Sequence, residues 1–403
     1  MLITDSIIKP PGLVYLFPQA REEILFFDIE TTGLSPKASS LYMVGVMFFD
    51  KEQDTWHIRQ FFADNYKSEP GIIMSFLEIL GRYKYLYHFN GKTFDIPYIL
   101  DKCRKHGIKP DSHCLSVLND TSGIYSIDLL LLVRPLKKLL SIQSAAQAAL
   151  ERWLGIMRED QYNGGQLISV YSQYIQFKLV SPDKAPELEK LLLLHNHDDI
   201  THMLDVCSIL SYRDFFAAGN NITITDIAPR DSQYINITFR HNIQIPKRVT
   251  ITKPFPSSKE ETIPIQDIHL DIGKNTAVLS VPLFYGNLKY FYPDYKNYYY
   301  IEEEDRVIHK SLAVKHTQAA GRQETGIKYK QAAASKCYGK KEGIFIPSLA
   351  LCQPENYITQ FYITYHDKIC FYALPYETVD IYNPFWENYV KLQLAAFINT
   401  KAK

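Results

Sequence analysis

The sequence predicts an α/β fold: a mixed sheet with helices on both faces, followed by a β-rich C-terminal domain. Three observations predict it. First, three strand-like runs, EILFFDI (23–29), LYMVGVMFF (41–49) and TWHIRQFF (55–62), are separated by the turn-forming stretches TTGLSP and DKEQD, the pattern of an antiparallel meander. Second, helical spacing then alternates with a short strand, which implies crossover connections and a mixed sheet. Third, the composition changes near residue 213 to short alternating runs set apart by Pro, Asn, Asp and Gly. With 403 residues the chain is too long for one ordinary core, and domains are expected at 1–212 and 213–403.

In chain order, PGIIMSFLEILGR (70–82) carries apolar side chains at helical spacing and leads into the strand KYLYHF (84–89), which ends in an Asn-Gly turn. DIPYILDKCRKHG (95–107) reads as a helix, with Pro97 in its first turn and Gly107 past its end. Residues 126–176 read as helical, interrupted at GIMREDQYNGG, and 186–212 as one long apolar-striped segment. Beyond 213, YINITF, TAVLSVPLFYG, LKYFYP, NYYYI, YITQFYIT and KICFYAL read as strands and FWENYVKLQLAAFI as a closing helix.

Lysine plus arginine equals aspartate plus glutamate at 44 each, so no global field announces a polyanionic partner, and any nucleic-acid affinity has to come from a local patch. The six cysteines form no C-x-x-C pair, which argues against a zinc knuckle or a disulfide framework and for reduced, buried thiols. The opening MLITDSIIKPPGLVYLF lacks a basic region followed by an apolar one, and no apolar run reaches membrane-spanning length, so a cytoplasmic location without membrane contact is expected. The 29 tyrosines and 22 phenylalanines fit strand packing first and base-stacking platforms second.

The chemistry concentrates in three polar insertions into apolar elements. Asp28 and Glu30 stand two apart at the end of a nearly all-apolar strand, and strand alternation projects both carboxylates from one face. Burying both is costly, and a divalent cation is the reasonable compensation, because carboxylate oxygens suit magnesium and manganese. In HFNGKTFDIPYI (88–99), Asn90 and Gly91 suit a tight turn and Asp95 falls at a helix N-terminus, where negative charge is favoured with or without a further role. In LLLLHNHDDITHMLDV (191–206), the stripe Leu188, Leu192, His195, Asp199, Met203, Val206, Leu210 puts His195 and Asp199 on the inward face; Asp198 lies off that line and is expected in solvent.

Order and spelling of these three pieces resemble the DEDD superfamily of 3′-5′ exonucleases, which has the ribonuclease H-like fold. The D-x-E motif is matched by Asp28 and Glu30, N-x-x-x-F-D by Asn90, Phe94 and Asp95, and the third motif by Asp199. The chain is most similar to the bacterial ribonuclease H-like, predicted exonuclease family that shares FDIETTGL, NGK-FD-P and HN-x-x-D, over about the first half of the sequence. Relatives place tyrosine four or histidine five residues before the last aspartate, whereas His195 stands at the four-residue spacing.

The resemblance implies a metal-dependent nuclease acting on DNA or RNA by a two-metal-ion mechanism with Mg²⁺ or Mn²⁺. Asp28 would bridge both ions, Glu30 and Asp199 would help hold the water-activating one, Asp95 would support the second, and His195 would orient or deprotonate the water. Lys92 and Thr93 in the second motif's loop suit either phosphate contact or solvation, while Arg158 and Asp128 match positions of the similar family and equally suit surface ion pairs. Residues 305–343 hold nine basic residues (Arg306, Lys310, Lys315, Arg322, Lys328, Lys330, Lys336, Lys340, Lys341) against three acids, with Tyr329 and Tyr338 interleaved, which reads as a nucleic-acid platform or as a solvated face. A catalytically silent nucleic-acid-binding module and an endonuclease on the same fold are the alternatives, and four mutually repelling acids favour the enzyme.

Overall fold

The computed structural model describes residues 1–8, 15–160, 162–217, 221–255, 266–313, 329–349, 359–367, 369–374 and 380–398. It divides into two compact units, one of residues 1–214 with 244–247 and one of 215–243 with 248–403.

The first unit is built on a six-stranded mixed sheet. Its strands are β1 (Leu2–Ile8), β2 (Ile24–Thr31), β3 (Leu41–Asp50), β4 (Thr55–Phe62), β5 (Tyr85–His88) and β6 (Ser126–Asp128), in the order β1-β4-β3-β2-β5-β6. The β2–β3–β4 meander is antiparallel as expected, while β5 pairs parallel with β2 and β6 parallel with β5. Two strands depart from the sequence reading. β1 adds itself antiparallel to the outer edge of β4, and β6 occupies the start of the stretch read as helical. β6 is only three residues long, too short for any periodicity to register, and its last residue immediately caps the next helix.

The helices are α1 (Glu69–Leu80), α2 (Asp95–His106), α3 (Ser112–Leu118), α4 (Leu129–Val133), α5 (Leu136–Leu139), α6 (Gln147–Leu154), α7 (Gly164–Val180), α8 (Ala185–Cys207) and α9 (Leu210–Phe216). α2 ends at Gly107, whose left-handed φ of 69° is open to a residue without Cβ. α7 begins with a reciprocal capping box, Asn163 Oδ1 accepting from Gln166 N–H at 3.1 Å and Gln166 Oε1 from Asn163 N–H at 3.0 Å. The long segment 186–212 is thus two helices, α8 and the start of α9.

Strand alternation sorts the helices between the two faces of the sheet. Leu25, Phe27 and Ile29 point one way, and Phe27 stacks on Phe76 of α1 at 5.1 Å between ring centroids. Phe26, Asp28 and Glu30 point the other way, toward α8. The side under α1 is tied by a buried ion network: Glu69 accepts from Leu41 N–H at 2.7 Å, Lys102 Nζ lies 2.8 Å from Glu69 and also donates to Ser39 O, and His106 Nε2 lies 2.6 Å from Glu69. That network pins the loop following the first acidic motif to α2, which carries the second.

The second unit holds a five-stranded antiparallel sheet of β7 (Ile222–Pro229), β8 (Tyr234–His241), β9 (Val249–Lys253), β10 (Ile268–Ile272) and β11 (Thr276–Pro282), in the order β7-β8-β11-β10-β9. Alternating Ile235, Ile237 and Phe239 face inward with Ile268, Leu270, Ile272, Ala277, Leu279 and Val281. Two three-stranded sheets follow, β12-β16-β17 and β14-β13-β15, from β12 (Phe284–Phe291), β13 (Tyr298–Ile301), β14 (Arg306–His309), β15 (Tyr329–Gln331), β16 (Tyr338–Ser348) and β17 (Cys370–Ala373), with α10 (Pro384–Ile398) as the expected closing helix. Of YITQFYIT (357–364), residues 357 and 358 lie outside the described residues, and among the rest only Phe361 and Tyr362 pair, as isolated bridges to Phe371 and Lys289. No helix among the described residues is long and apolar enough to cross a membrane.

Candidate functional site

The acids come from three elements. β2 delivers Asp28 and Glu30, the first turn of α2 delivers Asp95, and the middle of α8 delivers His195 and Asp199. Glu30, Asp95 and His195 are buried at 8%, 6% and 5% exposure, and Asp28 and Asp199 are half-buried. His195 Nε2 lies 3.5 Å from Glu30 and 3.4 Å from Asp199, so the four-residue spacing still brings the ring to the acids.

The electrostatics are those of a cluster short of positive charge. Burial pushes the Asp28 carboxyl well above its usual range, and Asp199, Asp95 and Glu30 push it further, against one amide hydrogen bond from Asn196. Burial raises Glu30 to about 8, with Asp199 and Asp95 adding and His195 and the Tyr42 hydroxyl opposing. Burial raises Asp95 to about 7, opposed by the backbone N–H groups of Asp95 and Ile29 and reinforced by Asp128 and Asp199. Asp199 is also raised by burial, although His195 and Arg158 pull it down. For His195, burial alone would lower the ring's affinity for a proton, but Asp199, Glu30 and Asp160 raise it overall.

Glu30, Asp199 and His195 each offer one ligand atom, and these atoms lie within 4.8 Å of one another. Hard carboxylate oxygens that hold protons near neutrality for want of countercharge are the donor chemistry a divalent cation suits, so the residues present fit such an ion.

Four residues that sequence reasoning missed shape this cluster. Asn196, wholly buried, donates its amide to Asp28 Oδ2 at 3.0 Å and accepts from Gln60 Nε2 at 2.9 Å, which also donates to Leu193 O at 2.8 Å. Gly45, opposite Asp28 on β3, lets α8 approach: a Cβ there would lie 2.1 Å from Asn196 Oδ1 and from Ile200 Cδ1. A lone glycine in the apolar run LYMVGVMFF was the available signal for such close approach. Asp160, 6% exposed, takes His195 Nδ1 at 2.5 Å.

Asp198 corrects the sequence reading. It is not in solvent but 7% exposed, and its Oδ2 accepts from the Asp160 N–H at 3.1 Å. The apolar stripe could not anticipate this, because the partner is a loop that returns over the side of α8.

Arg158 is not a surface pair either. Its guanidinium grips Glu151, 1% exposed, through Nε at 2.5 Å and Nη2 at 2.7 Å, and Nη2 also lies 2.6 Å from Asp199 Oδ1. Asp128 is likewise buried; its Oδ1 caps α4 through Leu130 N–H at 3.1 Å and accepts from Asn90 N–H at 3.0 Å, which steadies a turn whose Asn90 has a φ of 64°. Beside it, burial pushes His88 down to about 4, and its Nδ1 accepts from Gly91 N–H at 3.0 Å.

Of the expected substrate contacts, Asn90 and Thr93 are exposed and Lys92 half-buried, all in the turn preceding α2. The Thr93 hydroxyl is turned back on Asn90 Oδ1 at 2.9 Å. In the second unit, Lys330 on β15 is exposed with Nζ 2.5 Å from Glu302, and Lys328, Lys315 and Arg322 lie outside the described residues. Lys340 lies 2.7 Å from Asp305, and Arg306 pairs with Glu304, so several cations of the basic stretch neutralise nearby acids.

Residues 25–211, a little under half of the chain, match a family described as the RNase_H superfamily, and this segment is an RNase H-like domain. No curated protein matches the chain in sequence. Among solved structures, the family B DNA polymerase from the hyperthermophilic archaeon Pyrobaculum calidifontis aligns with a TM-score of 0.37 at 13% identity, over 74% of this chain and 41% of that one. E. coli Exonuclease I in complex with a dT13 oligonucleotide aligns with a TM-score of 0.30 at 11% identity, over 53% of this chain and 54% of that one. The chain therefore spans less than two thirds of the length of either protein.

Proposed function

Starting from the RNase H-like domain that residues 25–211 form, we propose that this chain is a metal-dependent nuclease that hydrolyses phosphodiester bonds of DNA or RNA, acting as a 3′-5′ exonuclease. The observation that carries the reading is the meeting of Asp28, Glu30, Asp95 and Asp199 from three separate elements, each held above its usual proton affinity by burial with too little positive charge nearby. A binding module gains nothing from such an arrangement.

Asp28, Glu30, Asp95 and Asp199 would hold two divalent cations, Mg²⁺ or Mn²⁺. When bound, these ions acidify a water and offset the charge that gathers on the phosphoryl and leaving oxygens. The chain's own groups do the rest. Asn196 aims the Asp28 carboxylate, and the Tyr42 hydroxyl, 3.3 Å from Glu30 Oε2, aims that of Glu30. His195 turns Nε2 toward the space between Glu30 and Asp199, where it takes the proton of the attacking water. Asn90, Lys92 and Thr93, in the turn preceding α2, are assigned to the substrate strand, and Lys328 and Lys330 to the phosphate backbone in the β-rich unit. A cytoplasmic location belongs to the same reading, since Cys103, Cys114, Cys207 and Cys337 are free, buried thiols.

The test is cleavage of end-labelled single- and double-stranded DNA and RNA with Mg²⁺ or Mn²⁺, by the wild type and by Asp28→Ala. A ladder shortening from the 3′ end, absent in the variant, is expected. Internal fragments would replace the exonuclease with an endonuclease, and cleavage unaffected by the substitution would overturn the reading.

A further inference from the structure

The loop between α6 and α7 leaves α6 at Gly155 and enters α7 at Asn163, and it folds back over the middle of α8. Asp160 is its deepest carboxylate. Its Oδ1 takes the Tyr162 N–H at 3.1 Å, and its Oδ2 lies 2.5 Å from His195 Nδ1. Its own backbone N–H is in turn taken by Asp198 Oδ2 at 3.1 Å. Asp198 and His195 are one helical turn's breadth apart on α8, so the loop is held at one point and presses its acid onto the ring at another.

Where the Asp160 oxygen accepts from the ring, the nitrogen facing it is the one carrying hydrogen. A neutral imidazole has one N–H and one lone pair, and fixing the first fixes the second. The lone pair is then on Nε2, the atom 3.5 Å from Glu30 and 3.4 Å from Asp199. A proton on that atom instead would turn it into a donor to those two acids and leave it unable to accept one.

Resting on the reading of His195 as the proton acceptor, we propose that Asp160 is a positioning residue that holds His195 in the Nδ1–H form and aims its Nε2 lone pair into the acidic site, with Asp198 anchoring the loop that carries it. The pairing is the logic by which a second carboxylate orients a functional histidine, here supplied by a loop rather than by the sheet. Nothing in the three acidic motifs encodes it.

The full chain labelled with ¹⁵N-histidine, free of metal and at a pH where the ring is neutral, reports the tautomer directly, with His195→Gln assigning the signal. Expected is a protonated Nδ1 and an unprotonated Nε2. In Asp160→Asn a single acceptor oxygen has to serve two donors, and the Nε2–H form is expected to appear. Kinetics give the second measure: Asp160→Ala should lower kcat about 10- to 100-fold at little changed KM, and should add no further loss in a His195→Ala background. An Nε2–H tautomer in the wild type, or wild-type kcat in a folded Asp160→Ala, would overturn the proposal. If the wild type cleaves no nucleic acid, the nuclease reading fails while the tautomer signal still decides the role of Asp160.

Discussion

Gly45 on β3 and Asn196 on α8 meet so closely that a single added Cβ on the glycine would lie 2.1 Å from the asparagine's Oδ1. Because that asparagine also donates to Asp28, the spacing between helix and sheet is set at the point where the first acidic motif is aimed. Gly45→Ala is therefore expected to destabilise the protein by about 1–3 kcal/mol, the ordinary penalty of overpacking, and to depress cleavage beyond that loss of folded protein. Denaturant titration beside specific activity separates the two; a variant with full activity per folded molecule would show that α8 has room to spare.

Metal-free protein should lose stability as pH rises from about 6.5 to 8.5. Glu30, raised to about 8, and Asp95, raised to about 7, bind protons in the folded state that the unfolded chain has already released at these pH values. His195, also raised, acts in the same direction, since the stability it contributes when charged fades as it deprotonates. His88, lowered to about 4, is neutral throughout the window and does not oppose the trend. Thermal unfolding in chelator across this range should show the decline, and Glu30→Gln should flatten it; a rising midpoint would contradict the assignment.

Asp28→Asn keeps an oxygen for the Asn196 amide and removes one ionisable acid from the cluster. Without metal its midpoint should rise, on the order of 2–4 °C for each kcal/mol of relieved repulsion in a domain of this size. Stabilisation by Mg²⁺ or Mn²⁺, read as a concentration-dependent midpoint, should shrink or vanish together with cleavage. A variant that unfolds earlier than wild type in chelator would mean that the Asp28 charge supports the fold.

Arg158→Ala strands Glu151, which is 1% exposed, and should cost about 3–5 kcal/mol in chemical denaturation. Arg158→Lys should recover only part of this, because a point charge cannot reproduce the two-pronged grip on Glu151. Replacing Glu151 and Arg158 together by leucine should be far milder than either change alone. Equal losses in the single and double variants would show that the pair stabilises beyond its own mutual neutralisation.

What the sequence made legible depended on whether the signal was local. Asp28 and Glu30 could be read because strand alternation alone puts them on one face, and His195 and Asp199 because a helical stripe does the same. Asn196 and Gln60 could not, since their hydrogen bond joins residues far apart in sequence across the gap between helix and sheet. Asp198 was misread because the stripe reports only the face turned to the core, and its partner arrives from a loop. β6 and α3 were missed for want of length, and β1 because its exposed and half-covered positions alternate without any strongly apolar face.

β1 lies outside the stretch matched by the RNase_H superfamily, yet it hydrogen-bonds along β4 from Leu2 opposite Phe62 to Ile8 opposite Trp56. Trimming the chain to the matched segment would leave β4 with a raw row of backbone donors and acceptors beside Trp56, Ile58 and Phe62, all buried in the intact chain. Such a fragment would retain every acid of the site and still tend to stick to its own copies, strand against strand. The smallest well-behaved piece of this protein is set by a rim that carries none of its chemistry.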